Sequence, residues 1–381
     1  MTLGRATTGG THLDFTRFCN VIDENPGVPV STNDDVNKAV DAAKRAAEEW
    51  AEVPWDERQQ AVKKFADALE ALSEDFARML NKENVKPVGL AYHEDLRCSP
   101  ANAFILEPSP FTLYCGLKLA ELGQQFCPPG VFQALSGDDE LGPSLTEHLG
   151  VDKASFTGST ATGNRVLQSC SKTVKQVAVE LGGKDPAIVC GDVDPLVAAP
   201  KIAIAALMNS GQSCIAIKRV FIFEAIYQKV LIAVVEFVNT LKVCDGFEEN
   251  TFIGLITNSV QFDRVKGLLA DIGDNQLKLA YDSTGLQERL KASSSPRPSR
   301  ITLLTNRGSS RKKHLVSVVA NASAESSNNA SIFTDSLWVT RPDLPLLKWS
   351  EEDGVIKRVN NTEYGLGASV WTNDQRRPRV S

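Results

Sequence analysis

Apolar residues recur at helical spacing along the first part of the chain. One predicted helical face comprises Val36, Val40, Ala43, Ala47 and Trp50. Thr32 or Asn33 can cap this helix, because a side-chain oxygen there accepts a hydrogen bond from a free N–H group of the first turn. Pro54 ends the run, and a second apolar stripe comprises Ala61, Phe65, Leu69, Leu72 and Phe76. The span from Thr32 to Lys82 therefore predicts paired helices packed through apolar faces.

From residue 102 the pattern changes to short apolar runs separated by helical segments. The apolar runs cover residues 103–106, 131–135, 154–156, 176–179 and 187–189. Helical segments at 113–126 and 163–171 lie between them, and a second cycle adds a helix at 195–208, a strand at 219–223 and a helix at 225–241. Strands that alternate with helices predict an α/β fold with a doubly wound parallel sheet.

Between residues 291 and 340 this periodic pattern is lost. The stretches 293–299 and 322–329 are polar, Ser-rich and aperiodic, so the segment is predicted to be irregular or disordered. Order is predicted to return with the segment 344–349, a helix near 351–360 and a short strand at 368–371.

Length and charge narrow the class of protein. A chain of 381 residues is too long for one compact core, so two domains are expected. The net charge of −6 gives no basic footprint and predicts no nucleic-acid partner. No stretch approaches the roughly 18 apolar residues of a membrane span, and residues 1–14 hold no signal-peptide core. We therefore expect a cytoplasmic protein with no membrane partner.

Cysteine and histidine spacing favours free thiols over a metal site. The eight cysteines form no Cys-x-x-Cys pair, which argues against zinc and against a disulfide framework. The four histidines lie far apart, with none in an i, i+4 pair, so no metal is predicted.

A strand that turns sharply into a helix occupies Phe156-Thr157-Gly158-Ser159-Thr160-Ala161-Thr162-Gly163. Backbone N–H groups and the positive dipole at such a helix start can receive a pyrophosphate. The stretch is neither G-x-G-x-x-G nor a P-loop, because Asn164-Arg165 replaces the Lys-Ser/Thr pair. An ordinary strand-to-helix turn is the alternative interpretation.

Glu180-Leu181-Gly182-Gly183 closes the strand that begins at Gln176. A carboxylate at the carboxyl end of a strand faces the crevice where ligands bind in doubly wound sheets. The two glycines allow another group to approach closely. A solvated Glu at an ordinary strand end is the alternative.

Cys214 lies in a loop between a helix that stops at Ser210-Gly211 and the strand at Arg219. A nucleophilic cysteine needs thiolate character and exposure, which a Gly-containing loop favours over a helix core. A buried structural cysteine is the alternative, and the other seven cysteines keep that interpretation.

Together, the segments 156–160, 180–183 and 209–214 resemble the NAD(P)-dependent aldehyde dehydrogenase superfamily, in the family's order. The resemblance covers most of residues 21–272 and resumes at about 344–374. It implies a doubly wound parallel-sheet cofactor domain and a second α/β catalytic domain, in a divergent, shortened member. We place the dinucleotide-binding domain at 12–183, with its first strand missing near 92–101, and the catalytic domain at 184–381.

The resemblance also implies roles for individual residues. Cys214 matches the nucleophile that attacks an aldehyde, and Glu180 matches the base that activates water to hydrolyse the thioester. The cofactor pyrophosphate turn matches Gly158, Ser159, Thr160, Ala161, Thr162 and Gly163. Leu181 and Gly182 would line the nicotinamide site. The implied reaction is oxidation of a small-molecule aldehyde to a carboxylic acid.

Glu107 takes the place of the Lys that lies near the adenosine ribose in the family. A carboxylate there would accept hydrogen bonds from ribose hydroxyls and repel a 2′-phosphate. The sequence therefore predicts NAD as the cofactor in preference to NADP.

The chain also departs from the family pattern. Residues 88–95 run into Pro100 without the Pro-Trp-Asn segment whose Asn supports the oxyanion, a loss that costs about two to three orders of magnitude in rate elsewhere. Asp335-Ser336-Leu337-Trp338-Val339-Thr340 replaces the Glu-x-Phe-Gly-Pro motif. The chain ends at Ser381, before the family's terminal segment, which would weaken a homo-oligomer.

The sequence leaves more than one function open. The first is aldehyde oxidation with NAD⁺ through Cys214 and Glu180. The alternative is a catalytically impaired member that retains at most nucleotide binding, which the missing segments favour. A Cys–His hydrolase is a third interpretation, although no His lies near either motif in sequence.

Overall fold

The computed structural model describes residues 28, 30–84, 86–91, 102–109, 112–244, 246–254, 279–282, 317–320 and 343–374. The described residues divide into two compact units. The first contains those up to Asn84 together with Val88–Phe156 and Thr162–Val179. The second contains Lys86, Pro87, Thr157–Ala161 and those from Glu180 onwards. The region near 92–101, where a strand is predicted to be missing, lies outside the described residues.

Four helices open the first unit: α1 (Asn33–Glu52), α2 (Trp55–Ala71), α3 (Ser73–Asn84) and α4 (Val88–Ala91). Thr32 caps α1 as predicted. Its hydroxyl accepts the Asp35 N–H at 3.3 Å, and its own N–H donates to the Asp35 carboxylate at 2.9 Å. These reciprocal bonds satisfy two donors that a helix start otherwise leaves unpaired, so the beginning of α1 is fixed by local sequence.

The predicted apolar faces are largely confirmed, but the second stripe is broken into two helices. Of the α1 stripe, Val36, Val40 and Trp50 are buried, whereas Ala43 and Ala47 are only half-buried. Leu72 leaves helical geometry with φ −102° and ψ 10°, and α3 starts at the next residue. Apolar spacing continues across this break, which is why the periodic pattern did not reveal it.

The chain up to Glu180 also contains two separate pairs of strands. Strand β1 (Phe104–Leu106) pairs in parallel with β2 (Phe132–Ala134), and α5 (Leu113–Gly123) connects them. Phe132 stacks on Phe104 with ring centroids 4.2 Å apart, and Phe65 packs edge-on against it at 5.8 Å. The Glu83 carboxylate accepts the N–H groups of Tyr114 and Cys115 at 2.6 and 2.9 Å, which caps α5 from a distant helix.

The second pair is β3 (Lys153–Thr157) with β4 (Gln176–Glu180), joined by α7 (Thr160–Ser171); α6 (Leu141–Glu147) precedes them. The Gln176 N–H donates to the Asp152 carbonyl, and the Gly158 N–H donates to the Glu180 carbonyl. Because the residue before β3 bonds the start of β4 and the residue after β3 bonds its end, the two strands run in the same direction. The predicted strand–helix–strand pattern is therefore confirmed here, although the described strands do not join into one sheet.

The second unit is built on a six-stranded sheet. Its strands, in spatial order, are β10 (Ser369–Trp371), β5 (Pro186–Val189), β6 (Arg219–Phe223), β9 (Asp343–Trp349), β8 (Ser317–Ala320) and β7 (Leu279–Asp282). Neighbours are parallel except for β7 with β8. This parallel sheet with crossover connections confirms the predicted α/β class.

Helices cover both faces of this sheet. Ala187 and Val189 of β5 pack in one core cluster with residues of α8 (Pro195–Leu207) and α9 (Tyr227–Val238). Ile188, between them, packs in a second cluster with Val355 of α10 (Glu352–Val359). Successive residues of a strand point to opposite faces, so this alternation shows a doubly wound sheet. No helix in the described part of the chain is long and apolar enough to span a membrane.

One expectation for the sequence after residue 290 is wrong at four positions. The segment 291–340 was predicted to be irregular or disordered, yet Ser317–Ala320 forms β8 and pairs in parallel with β9. Its Val318-Val319-Ala320 run favours a strand, but polar Ser-rich stretches on either side obscure so short a signal. The rest of that segment, including Asp335–Thr340, lies outside the described residues.

The close approach of α5 to β2 gives a test of this packing. A Cβ atom added at Gly123 would fall 2.1 Å from the Phe132 ring, so we expect Gly123→Ala to lower the free energy of unfolding by about 1–3 kcal/mol. Chemical denaturation measures this change. Gly89→Ala is the control, because Gly89 lies in α4 with no atom within 4 Å of an added Cβ. Equal stability of both variants would contradict the packing described.

Candidate active site

The turn after β3 is joined to the end of β4. Gly158 forms a bend directly after β3, and its N–H donates to the Glu180 carbonyl at 3.0 Å. Helix α7 begins two residues later, at Thr160, and its first turn contains no acidic side chain. Gly158, Ser159 and Thr160 are half-buried, Ala161 and Thr162 are exposed, and Gly163 is buried. Two of the sequence motifs therefore meet through a backbone hydrogen bond.

Glu180 is the last residue of β4, and its side chain is exposed. The segment that follows turns inward: Leu181 and Gly182 are half-buried, and Asp185 is buried. The carboxylate is therefore exposed at the carboxyl end of the strand, a position that both interpretations of Glu180 predict.

Gly183 is required by a close approach, although the approaching group is part of this chain. A Cβ atom at Gly183 would fall 2.2 Å from Asp185 Oδ1, and one at Gly367 would fall 2.6 Å from Asp185 Oδ2. The Gly367 N–H donates to the same carboxylate at 3.2 Å. The two glycines thus make room for a buried carboxylate. Sequence reasoning expected close approach at Gly183 but did not single out Asp185.

The loop that presents Cys214 has an unusual backbone. Asn209, Ser210 and Gly211 all have left-handed conformations, with φ values of 54°, 59° and 72°. Asn tolerates this region better than other residues with a Cβ atom, whereas Ser210 occupies it at a cost of about 1–2 kcal/mol that tertiary contacts must offset. The buried Ser210 hydroxyl donates to the Gly254 carbonyl at 3.0 Å. Asn209 Nδ2 and Gln212 Nε2 donate to each other's backbone carbonyls at 3.2 and 3.1 Å.

Cys214 itself lies where the chain enters the core. The cysteine is half-buried and the next residue, Ile215, is 62 % exposed, whereas residues 216–220 are buried. Burial raises the pKa of three other thiols, which disfavours their reactive thiolate forms; these are Cys115, Cys127 and Cys170. Cys115 and Cys127 are half-buried like Cys214, and Cys170 is buried.

The segments that follow Glu180 and Cys214 enter the six-stranded sheet side by side, at the amino ends of two neighbouring strands. Strands β5 and β6 are parallel neighbours, with Pro186 paired to Arg219 at their amino ends. Glu180 lies six residues before Pro186, and Cys214 lies five residues before Arg219. The Lys218 N–H donates to the Asp185 carbonyl at 2.9 Å, so the two segments are joined where they enter the sheet.

Sequence reasoning missed a group of buried charges at the amino ends of β5 and β6. Asp185, Lys218 and Arg219 are 5 %, 6 % and 8 % exposed. The Arg219 guanidinium donates to the Lys184 carbonyl at 2.8 and 3.0 Å and to the Val359 carbonyl at 3.0 Å. It thereby satisfies the carboxyl end of α10. The signal in the sequence is a Lys-Arg pair at the start of an otherwise apolar strand.

Glu107 follows β1 in the first unit. Its carboxylate lies beside α6, because a Cβ atom at Gly142 would be 3.5 Å from Oε1. Much of the side chain is exposed, yet the surrounding protein desolvates the carboxyl and raises its pKa. Its predicted role at a cofactor ribose stays a prediction.

Comparison with known proteins finds similarity to the aldehyde dehydrogenase family. A sequence model of the aldehyde dehydrogenase family matches residues 23–100 and 99–298. The chain is 29% identical over 431 residues to aldehyde dehydrogenase LUC3 of Fusarium sp. The alignment covers 95% of this chain and 87% of that relative. It is 24% identical over 410 residues to geranial dehydrogenase of Castellaniella defragrans, covering 91% of this chain and 80% of that one.

A solved structure supports the same fold. Aldehyde dehydrogenase C of Pseudomonas syringae, determined in complex with NAD⁺ and octanal, superposes with a TM-score of 0.77. Its sequence identity is 23%, with 91% of this chain and 78% of that chain covered. The predicted family resemblance and α/β fold are thus confirmed.

Proposed function

Because this chain belongs to the aldehyde dehydrogenase family, we propose that it oxidises an aldehyde to a carboxylic acid with NAD⁺, using Cys214 and Glu180. The observation that carries the proposal is the parallel pairing of β5 with β6, because it brings the segments after Glu180 and Cys214 to the same end of the sheet. The exposed Glu180 side chain and the half-buried Cys214 suit a base and a nucleophile that a substrate must reach. The relatives named above do not favour the alternative of a chain limited to nucleotide binding.

The residues after β3 fit the pyrophosphate of a dinucleotide. The first turn of α7 is Thr160-Ala161-Thr162-Gly163, so it carries only small side chains and no acidic group. The positive end of a helix that starts directly after a strand favours a phosphate at such a place. Gly158 to Gly163 would hold the pyrophosphate, and Leu181 and Gly182 would line the nicotinamide. NAD⁺, when bound, supplies the acceptor for the hydride.

The proposed chemistry of this chain's own residues has two parts. The Cys214 thiolate attacks the aldehyde carbonyl carbon and forms a C–S bond, giving a thiohemiacetal; loss of hydride from that carbon leaves a thioester on Cys214. Glu180 then takes a proton from water as the water attacks the thioester carbon. The C–S bond breaks, the carboxylic acid leaves, and the sulfur returns to its starting state.

A cytoplasmic location and a homo-oligomer remain predictions from the sequence.

Removal of the sulfur tests the nucleophile. We expect Cys214→Ala to reduce NADH formation from an aldehyde to the assay background, because the proposed thioester forms on the Cys214 sulfur. NAD⁺ affinity, measured by calorimetry, should stay within about twofold of the wild-type value. Cys244→Ala is the matched control, since Cys244 is also half-buried in the second unit. Substantial turnover by the Cys214 variant would rule out its proposed role.

Glu180→Gln tests the base separately from the nucleophile. The variant keeps the size of the side chain but cannot accept the proton of the attacking water, so hydrolysis should slow by about 10²–10⁴-fold. We expect rapid formation of one NADH per active site, followed by a persistent thioester detectable by mass spectrometry. Glu236→Gln, on the exposed side of α9, should behave as wild type. A steady rate without an accumulated thioester would refute the assignment.

Glu107 generates a prediction about cofactor choice. A carboxylate near the adenosine ribose would repel a 2′-phosphate, so NAD⁺ should bind more tightly than NADP⁺. Glu107→Lys should shift the ratio of the two dissociation constants towards NADP⁺ by about tenfold, a change of about 1.4 kcal/mol. Fluorescence titration with each nucleotide measures the ratio, and an unchanged ratio would place Glu107 away from the ribose.

A further inference from the structure

Three charged side chains are buried where the Cys214 loop enters the sheet: Asp185, Lys218 and Arg219. A buried charge is costly unless hydrogen bonds and opposite charges compensate it, so the partners of each group reveal what it holds in place. None of the three takes part in the chemistry proposed above. Their function is therefore to be found in their contacts.

The Lys218 ammonium is bonded to the backbone that precedes Cys214. Its Nζ donates to the Ser213 carbonyl at 2.9 Å and to the Gly211 carbonyl at 3.2 Å. Ser213 is the residue directly before Cys214, and Gly211 ends the left-handed turn. An ammonium offers three donors and forms stronger bonds than a neutral donor, so one side chain fixes two points of the strained loop.

Asp185 supplies the opposite charge. Its carboxylate accepts the Gly367 N–H, and the positive charges of Lys218 and Arg219 favour its ionised form. Burial is the larger influence and raises the pKa of this carboxyl. The backbone of Asp185 also accepts the Lys218 N–H, five residues after Glu180. Lys218 thus connects the loop of the nucleophile to the segment that follows the base.

The neighbouring cation makes different contacts. Arg219 donates to carbonyls of Lys184, Arg358 and Val359, which belong to the β5 approach and the end of α10. Loss of Arg219 would thus affect the sheet edge and α10, whereas loss of Lys218 would release the carbonyls of Gly211 and Ser213. The two adjacent residues have separable structural effects.

We propose that Lys218 is a positioning residue that fixes the Cys214 sulfur by holding the Gly211 and Ser213 carbonyls from inside the protein. This inference rests on the proposed nucleophilic role of Cys214. Without the ammonium, the loop loses two hydrogen bonds, one at Gly211 and one at Ser213, and can relax towards commoner backbone conformations. The nucleophile would then spend less time in its reactive place while the fold of the second unit remains.

The test compares Lys218→Met, Lys218→Arg and the control Lys201→Met, an exposed position on α8. Hydrogen–deuterium exchange of peptides spanning residues 208–217 reads the loop directly. We expect Lys218→Met to speed exchange there by about tenfold, with peptides of α9 unchanged and the control like wild type. Exchange equal to wild type in this loop would overturn the proposal, as would a uniform increase over the whole second unit.

Steady-state kinetics supply the second measurement. We expect kcat to fall by about 100-fold in Lys218→Met, with KM for NAD⁺ within about twofold of wild type, because a displaced sulfur impairs reaction more than cofactor binding. Lys218→Arg keeps the charge, so its kcat should be at least about tenfold higher than that of Lys218→Met. An unaltered kcat per folded molecule would mean that Lys218 serves stability alone and would also overturn the proposal.

The two proposals can fail separately. If the wild-type chain forms no NADH with any aldehyde, the proposed function fails, whereas the exchange data still decide whether Lys218 holds the loop. If the wild-type chain is active and Lys218→Met is equally active, only the positioning role fails. Should Lys218→Met not fold, Lys218→Gln removes the charge but keeps an N–H donor, and it is measured in the same way against the same two outcomes.

Discussion

The parallel pairing of β5 with β6 is the constraint on which the proposed site depends. All four residues of β5 are buried, and alternate side chains enter two different core clusters. A slip of one residue would exchange the side chains of the two faces, so the packing on both sides fixes the register. That register pairs Pro186 with Arg219 and thereby sets where the preceding segments begin. Core packing far from any chemistry thus determines which loops can meet.

The loop of Cys214 shows how a fold maintains an unfavourable backbone. Asn209 and Ser210 adopt conformations that side chains disfavour, and an isolated peptide would leave them. Here the Ser210 hydroxyl donates to the Gly254 carbonyl, and the Lys218 ammonium donates to the Gly211 carbonyl. The burial of two polar side chains is the cost of this arrangement. A well-placed loop of this kind is typical of sites where geometry matters more than stability.

Local sequence predicted those elements whose signals are local. Thr32 caps α1 through a residue three positions away, and the apolar run at 219–223 gave β6 with its observed bounds. The break at Leu72 and strand β8 were missed, because apolar spacing continues through the first and polar neighbours mask the second. Asp185 and Lys218 were missed for another reason. Polar residues are expected at the surface, and only contacts distant in sequence make their burial tolerable.

Glu180 combines two tasks that its backbone and side chain perform separately. Its carbonyl accepts the Gly158 N–H, which ties the turn before α7 to the end of β4. Its side chain is exposed. The backbone position of the proposed base is therefore set by main-chain hydrogen bonding, while the carboxylate is left unconstrained enough to meet water. At Cys214, the carbonyls of the preceding Gly211 and Ser213 accept hydrogen bonds from the Lys218 ammonium. In both segments, hydrogen bonds to backbone carbonyls fix the main chain beside a side chain that is proposed to react.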